Sequence, residues 1–227
     1  MAGPDPVAED LEPDTLTLRA LQLTALYPSA LARRGFGREE VCDLVCPTGR
    51  IIGCDPAVGA QSAPAFEVTV PPGRYPAFAY FDEPEPTIET RVALAELRIS
   101  PRRVVRWSLA RRDTPHAYQR NDYDVDSAKG CFCDAAALPH LDLSGLDTEA
   151  KEALHEDLMW SIPHGDQLLD PATGLNVAVF DSGAGDGSYR TYVGHDDAGR
   201  VARLVTSFRL FEAAWAKASP SQVPAEA

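Results

Sequence analysis

Long apolar runs are missing from this sequence. No stretch approaches the roughly 20 consecutive apolar residues that a membrane-spanning helix needs, so no membrane span is expected. The opening MAGPDPVAEDLEPD has neither a basic start nor an apolar segment ahead of a small-residue cleavage site, which removes the secretory-signal reading. Together these lacks predict a cytoplasmic protein. Basic residues are also scarce: 21 Lys and Arg stand against 34 Asp and Glu, a formal net charge of −13. Phosphate binding needs clustered cations, so neither nucleic acid nor an anionic membrane is an expected partner. Cysteine is present five times, an odd number in a chain without an export signal, and no disulfide framework is expected. The spacings Cys42-x3-Cys46-x7-Cys54 and Cys131-Phe132-Cys133 lack the paired C-x2-C of a structural zinc site. They read as buried thiols that serve as small apolar residues.

What is present is enough for one sizeable core, since 227 residues with 44% hydrophobic content can bury one. Residues 1–14 are rich in Pro, Asp and Glu without periodicity and read as a disordered arm. Residues 15–213 read as a single globular domain, beginning with short helical turns over Thr15–Arg34, and 214–227 as a flexible tail. Glu40–Asp55 reads as a hairpin about Pro47-Thr48-Gly49. Phe66–Val70 alternates strictly and leads through Pro71-Pro72-Gly73 to a strand over Tyr75–Phe81. Val92–Ile99 and Val104–Leu109 form a third pair. Asp55-Pro56 reads as a strand stop with Asp55 capping the turn. Arg98, Arg102, Arg103, Arg106, Arg111 and Arg112 read as a wet strand face. Thr148–Trp160 is a helix capped by Asp147, with Ala150, Ala153, Leu154 and Leu158 as its core stripe. Three strands close the chain, the last two joined at Asp196-Asp197-Ala198-Gly199. The fold class is α+β: a mainly antiparallel sheet or sandwich with a helical insertion around residues 133–165.

Two polar loops concentrate the chemistry. One holds Asp126 and Ser127, with Cys131 and Asp134 beyond; the other holds Asp181, Ser182, Asp186 and Tyr189. Both stand at the ends of apolar runs, where sheets support functional side chains, and they are expected to approach each other. Asp126, Ser127, Asp181, Ser182, Asp186 and Tyr189 are the candidate catalytic residues. Paired carboxylates can act as acid and base. Ser127, Ser182 or Cys131 could serve as a nucleophile with His164 or His195 as base. Alternating Asp122, Asp124 and Asp126 offer oxygen ligands suited to Mg or Ca. Each residue also has a plainer role, because Asp accepts backbone N–H bonds in turns and Gly supplies positive φ. Cofactor and metal stay open at this level.

Five stretches in order, CPTGRIIGCDP (46–56), VPPGRYP (70–76), VDSAKGCFCD (125–134), FDSGAGDGSYRTYVGHDDAGR (180–200) and LVTSF (204–208), resemble a bacterial family of unknown function, DUF4241. The resemblance spans about residues 40–211 and implies one domain, with no activity attached. Where family members tend to have a Gly-containing turn, this chain has Ala128-Lys129. Two classes of function follow from the residues. One is a small hydrolase-like enzyme acting on a small-molecule ligand at the paired loops. The alternative is a non-enzymatic acidic binding protein, of immunity or antitoxin type, with a basic protein partner.

Overall fold

A computed structural model describes residues 35–115, 121–142 and 147–210. The arm, the N-terminal helical turns and the tail lie outside the described residues. Eleven strands are described among them: β1 Gly37–Cys46, β2 Ile51–Cys54, β3 Gly73–Phe81, β4 Val92–Arg98, β5 Arg106–Leu109, β6 Asp122–Val125, β7 Lys129–Asp134, β8 His164–Asp170, β9 Leu175–Asp181, β10 Gly187–His195 and β11 Val201–Ser207. The helix α1 runs Thr148–Met159, and 3-10 turns cover Ala60–Ser62 and Ala135–His140. Seven strands form one sheet, β1-β3-β4-β11-β10-β5 with β6 also on β10, and four form a second, β2-β7-β9-β8. Every strand pairing is antiparallel. The α+β sandwich with its helical insertion is therefore the observed class.

Period-two alternation builds the layers. On β3, Ala77, Ala79 and Phe81 face the core between the sheets, while Phe78 and Tyr80 join a second cluster on the other face with Leu94, Trp107, Tyr192 and Val205. On β7, Phe132 enters the inter-sheet core and meets Phe180 edge-on at 6.1 Å. Cys131 and Cys133 point the other way, into a cluster with Val177, Val179, Ala137 and Leu158 under the helical layer. Only Leu158 of α1 is fully buried; Ala150 and Ala153, expected in its core stripe, are exposed. The helix docks by its C-terminal half, where Leu154 is partly buried against the same cluster as Leu158, and Ala150 and Ala153 meet no apolar surface among the described residues.

Three expected pairings are replaced. β1 and β2 do not form a hairpin: β1 pairs β3 in the large sheet and β2 pairs β7 in the small one. Pro47–Arg50 carries the chain between sheets, and the buried Asp134 holds that crossover by accepting from Thr48 N at 3.2 Å, Gly49 N at 3.0 Å and Thr48 Oγ at 2.7 Å. Phe66–Val70 keeps its alternating burial but makes only single bridges, Arg50 to Thr69 and Phe66 to Arg112. It spans the gap between sheets, with Phe66 N on Ile51 O and Glu67 N on Arg111 O. β4 and β5 share a sheet but are separated by β11 and β10. The Asp196–Gly199 turn does join β10 to β11 as a hairpin, with Gly199 at φ 74°.

β10 positions the loops. Its first half, Gly187–Arg190, pairs β6, and its second half, Tyr192–His195, pairs β5. β6 therefore runs beside the start of β10, and the turns that leave β6 and enter β10 lie at one end of the sandwich.

Candidate functional site

The two polar loops meet. Lys129 and Asp181 are opposite each other in the β7–β9 pair, so the turns before β7 and after β9 emerge side by side. Ser182 N donates to Ala128 O at 2.9 Å, and Ala128 N donates to Asp186 Oδ1 at 3.0 Å. Ala128 sits at φ 55°, in the left-handed region that favours glycine.

Most of the polar side chains are occupied in holding this junction. Asp55, buried behind the first loop, accepts from Asp126 N at 2.9 Å, Ser127 N at 2.8 Å and Ser127 Oγ at 2.8 Å. It also caps its own turn through Ala57 N and Val58 N, at 2.9 and 3.0 Å. Asp181 pairs with buried Lys129, whose Nζ also donates to Ser161 O at 2.9 Å. Burial pushes the Asp181 carboxyl above its ordinary range, while the ammonium of Lys129 pulls it down. Ser182 Oγ donates to Gly185 O at 2.6 Å, and the buried Tyr189 hydroxyl reaches the same carbonyl at 2.5 Å. Burial likewise raises the Tyr189 phenol.

Asp126 differs from the other five candidates. Its backbone is fixed by Asp55, yet its carboxylate is exposed and accepts no hydrogen bond from any described residue. It lines a cavity of about 570 Å³, within the range of small-molecule sites, together with Cys54, Asp55, Arg112, Tyr123 and Asp124. Ser127, Asp181, Ser182, Asp186 and Tyr189 do not line this cavity. The loops thus share hydrogen bonds without sharing a pocket.

Arg112, Cys54 and Asp55 are among the cavity residues that the candidate set omits. Arg112 was expected on a wet strand face, but it is buried. Its Nη1 donates to Asp122 O at 3.0 Å and its Nη2 to Gly53 O at 3.4 Å, while Nε has no partner among the described residues. Burial lowers its pKa from the ordinary guanidinium value, against the pull of nearby anionic groups. No sequence signal separates Arg112 from the five other arginines of its cluster; only the fold turns it inward. For a metal, the converging set among the described residues is not Asp122, Asp124 and Asp126 but Cys54, Cys131 and Cys133, whose sulfurs all lie within 4.8 Å of one another.

The fold and site define an antiparallel two-sheet sandwich with a polar cavity at one end. Residues 44–206 match the model of the family described as "Protein of unknown function (DUF4241)", and the chain belongs to that family. No curated protein and no solved structure matches it. Among the described residues no helix is long and apolar enough to cross a membrane.

Proposed function

We propose that the protein is a small hydrolase-like enzyme that acts on a small polar molecule bound in the cavity beside Asp126. The observation that carries this reading is an exposed carboxylate held on a rigid turn, without a partner among the described residues, at the wall of a cavity that also includes a buried arginine. Ser127 and Ser182 spend their hydroxyl protons on Asp55 and Gly185, so the nucleophile is water, with Asp126 as its general base. Arg112 supplies positive charge to an electron-rich oxygen of the substrate. Asp113, Asp124 and Asp126 line the same cavity and favour a cationic group elsewhere on that molecule.

A second reading, the acidic binding protein, is favoured by a different surface. Trp160 at the end of α1 is 72% exposed, and Ile162 and Leu168 of the following segment and edge strand β8 are exposed too. Glu149, Glu152, Glu156 and Asp157 stand exposed on the same helix. An apolar patch with acidic flanks suits a basic partner.

One experiment separates the two. A thermal-shift screen of small amine-bearing esters, amides and phosphates is run on the wild type, Asp126→Ala and Trp160→Ala. The enzyme reading expects a hit that raises the wild-type melting point by roughly 5 °C or more at a hundredfold excess over Kd. That shift is retained in Trp160→Ala and lost in Asp126→Ala, which stays folded because its carboxylate holds none of the described residues in place. Hydrolysis of the hit, followed by mass spectrometry, completes the test. A screen without hits, or hits indifferent to Asp126→Ala, overturns the enzyme reading.

A further inference from the structure

We propose that Cys54, Cys131 and Cys133 bind one zinc ion through three thiolates, leaving a fourth position open toward the cavity that Cys54 lines. The site goes beyond the hydrolase reading and does not depend on it.

Strand geometry makes the cluster. Cys131 and Cys133 are two residues apart on β7 and so share a face, and Cys54 is the direct cross-strand partner of Cys131. The Cys54 and Cys131 sulfurs are 3.5 Å apart, and all three fall within 4.8 Å of one another. Tetrahedral zinc with Zn–S bonds of about 2.3 Å sets neighbouring sulfurs about 3.8 Å apart. The cluster already brackets that spacing, and rotation of the side chains about Cα–Cβ covers the remainder. Cys42 and Cys46 share a single strand, β1, and belong to the inter-sheet core instead.

The surroundings suit the charge of such a site. Three thiolates around a divalent cation carry one net negative charge, and a buried ion of that kind needs a counter-charge. Arg112 is there, buried, with its Nη2 on the carbonyl of Gly53, the residue before Cys54. Its Nε is a buried donor without a partner among the described residues. The buried carboxylate of Asp55, next in sequence to Cys54, adds a negative charge, so a divalent zinc is better balanced here than a monovalent copper. Cys131 and Cys133 lie under the 3-10 turn of Ala135–His140 and α1, so the cavity wall at Cys54 is the approach for metal and for the fourth ligand. Binding converts three thiols to thiolates and releases their three protons to solvent, so affinity rises with pH.

Cobalt(II) is the probe. The full chain is purified under reductant, stripped with a chelator and titrated with Co²⁺, then with Zn²⁺. One equivalent of cobalt with thiolate-to-metal charge-transfer bands, bleached by one equivalent of zinc, is the expected result. Cys133→Ala is expected to weaken zinc binding about a hundredfold or more, whereas Cys46→Ala removes an equally buried thiol and leaves binding unchanged. Native mass spectrometry of the wild type reads the zinc adduct without relying on any variant. Absence of both the bands and the adduct overturns the site, as does binding that survives Cys54→Ala and Cys133→Ala. Recovery of a Cys54–Cys131 disulfide in a chain that takes up no metal overturns it too.

Discussion

Asp55 organises more of this end of the molecule than any of the six candidate residues. Its carboxylate accepts five hydrogen bonds, two from its own turn and three from a loop 71 and 72 residues further along. The local pair was legible in Asp55-Pro56, because capping depends on neighbours in sequence. The distant three were not, since nothing near Asp55 marks residues 126 and 127 as its partners. Ser182 and Tyr189 stand out in sequence by the same polarity that in the fold satisfies the carbonyl of Gly185. Asp126 stands out only once those other groups are seen to be occupied. Replacing Asp55 by Ala strands five part-buried donors at once and is expected to cost roughly 3–5 kcal/mol. Urea denaturation should show a lower midpoint at unchanged slope. A loss below about 1 kcal/mol, the value of one ordinary hydrogen bond, would mean that water replaces the carboxylate and that Asp55 is no anchor.

At the scale of the strand, legibility followed composition. β4 and β11 were visible because Val, Ala and Leu dominate them. β7, Lys-Gly-Cys-Phe-Cys-Asp, looked like a polar loop although all six residues are buried. Its thiols are apolar, and each charged end finds one specific partner set: Lys129 on Asp181, and Asp134 on the Thr48–Gly49 crossover. β4 hides a similar feature. Glu96 is fully buried and accepts from the Tyr80 hydroxyl, from Arg98 at 3.0 and 3.1 Å, and from Arg203 at 2.8 Å. Burial, with the Glu96 charge beside it, pushes the Tyr80 phenol well up, so it remains a donor. Such a network ties β3, β4 and β11 together on the face away from the inter-sheet core. Glu96→Gln removes the charge and turns an amide N–H₂ toward two guanidinium groups. The expected cost is about 3 kcal/mol or more, a fall in melting temperature of roughly 6–12 °C for a chain of this size. A melting point within about 2 °C of wild type would show that the arginines relax to solvent and that the network is ornamental.

For the whole molecule, the antiparallel sandwich was readable from short apolar runs at regular spacing, but the assignment of strands to sheets was not. Local turn chemistry favours joining neighbours, so Pro47-Thr48-Gly49 read as a hairpin. What overrides it is the shared core: Leu44 and Phe81 from the large sheet pack with Ile51 and Phe132 from the small one. The chain therefore crosses between sheets at this turn, and Gly49 is the point of greatest constraint. It holds φ 68°, and a Cβ there would run into the carbonyl oxygen of Val70, whose own N–H donates to Gly49 O at 2.9 Å. Gly49→Ala combines a left-handed backbone penalty of about 1–2 kcal/mol with overpacking of about 1–3 kcal/mol. Because residues of both sheets sit in one cluster, the loss should be felt by both at once. Near-ultraviolet circular dichroism in a background with Trp160 and Trp215 replaced by Phe leaves Trp107 to report the large sheet, and alkylation mapped by mass spectrometry to Cys131 and Cys133 reports the small one. Both transitions are expected to move down together in Gly49→Ala. Separate transitions, with the thiols exposed while the tryptophan signal persists, would show instead that the small sheet melts alone and that the crossover does not couple the two.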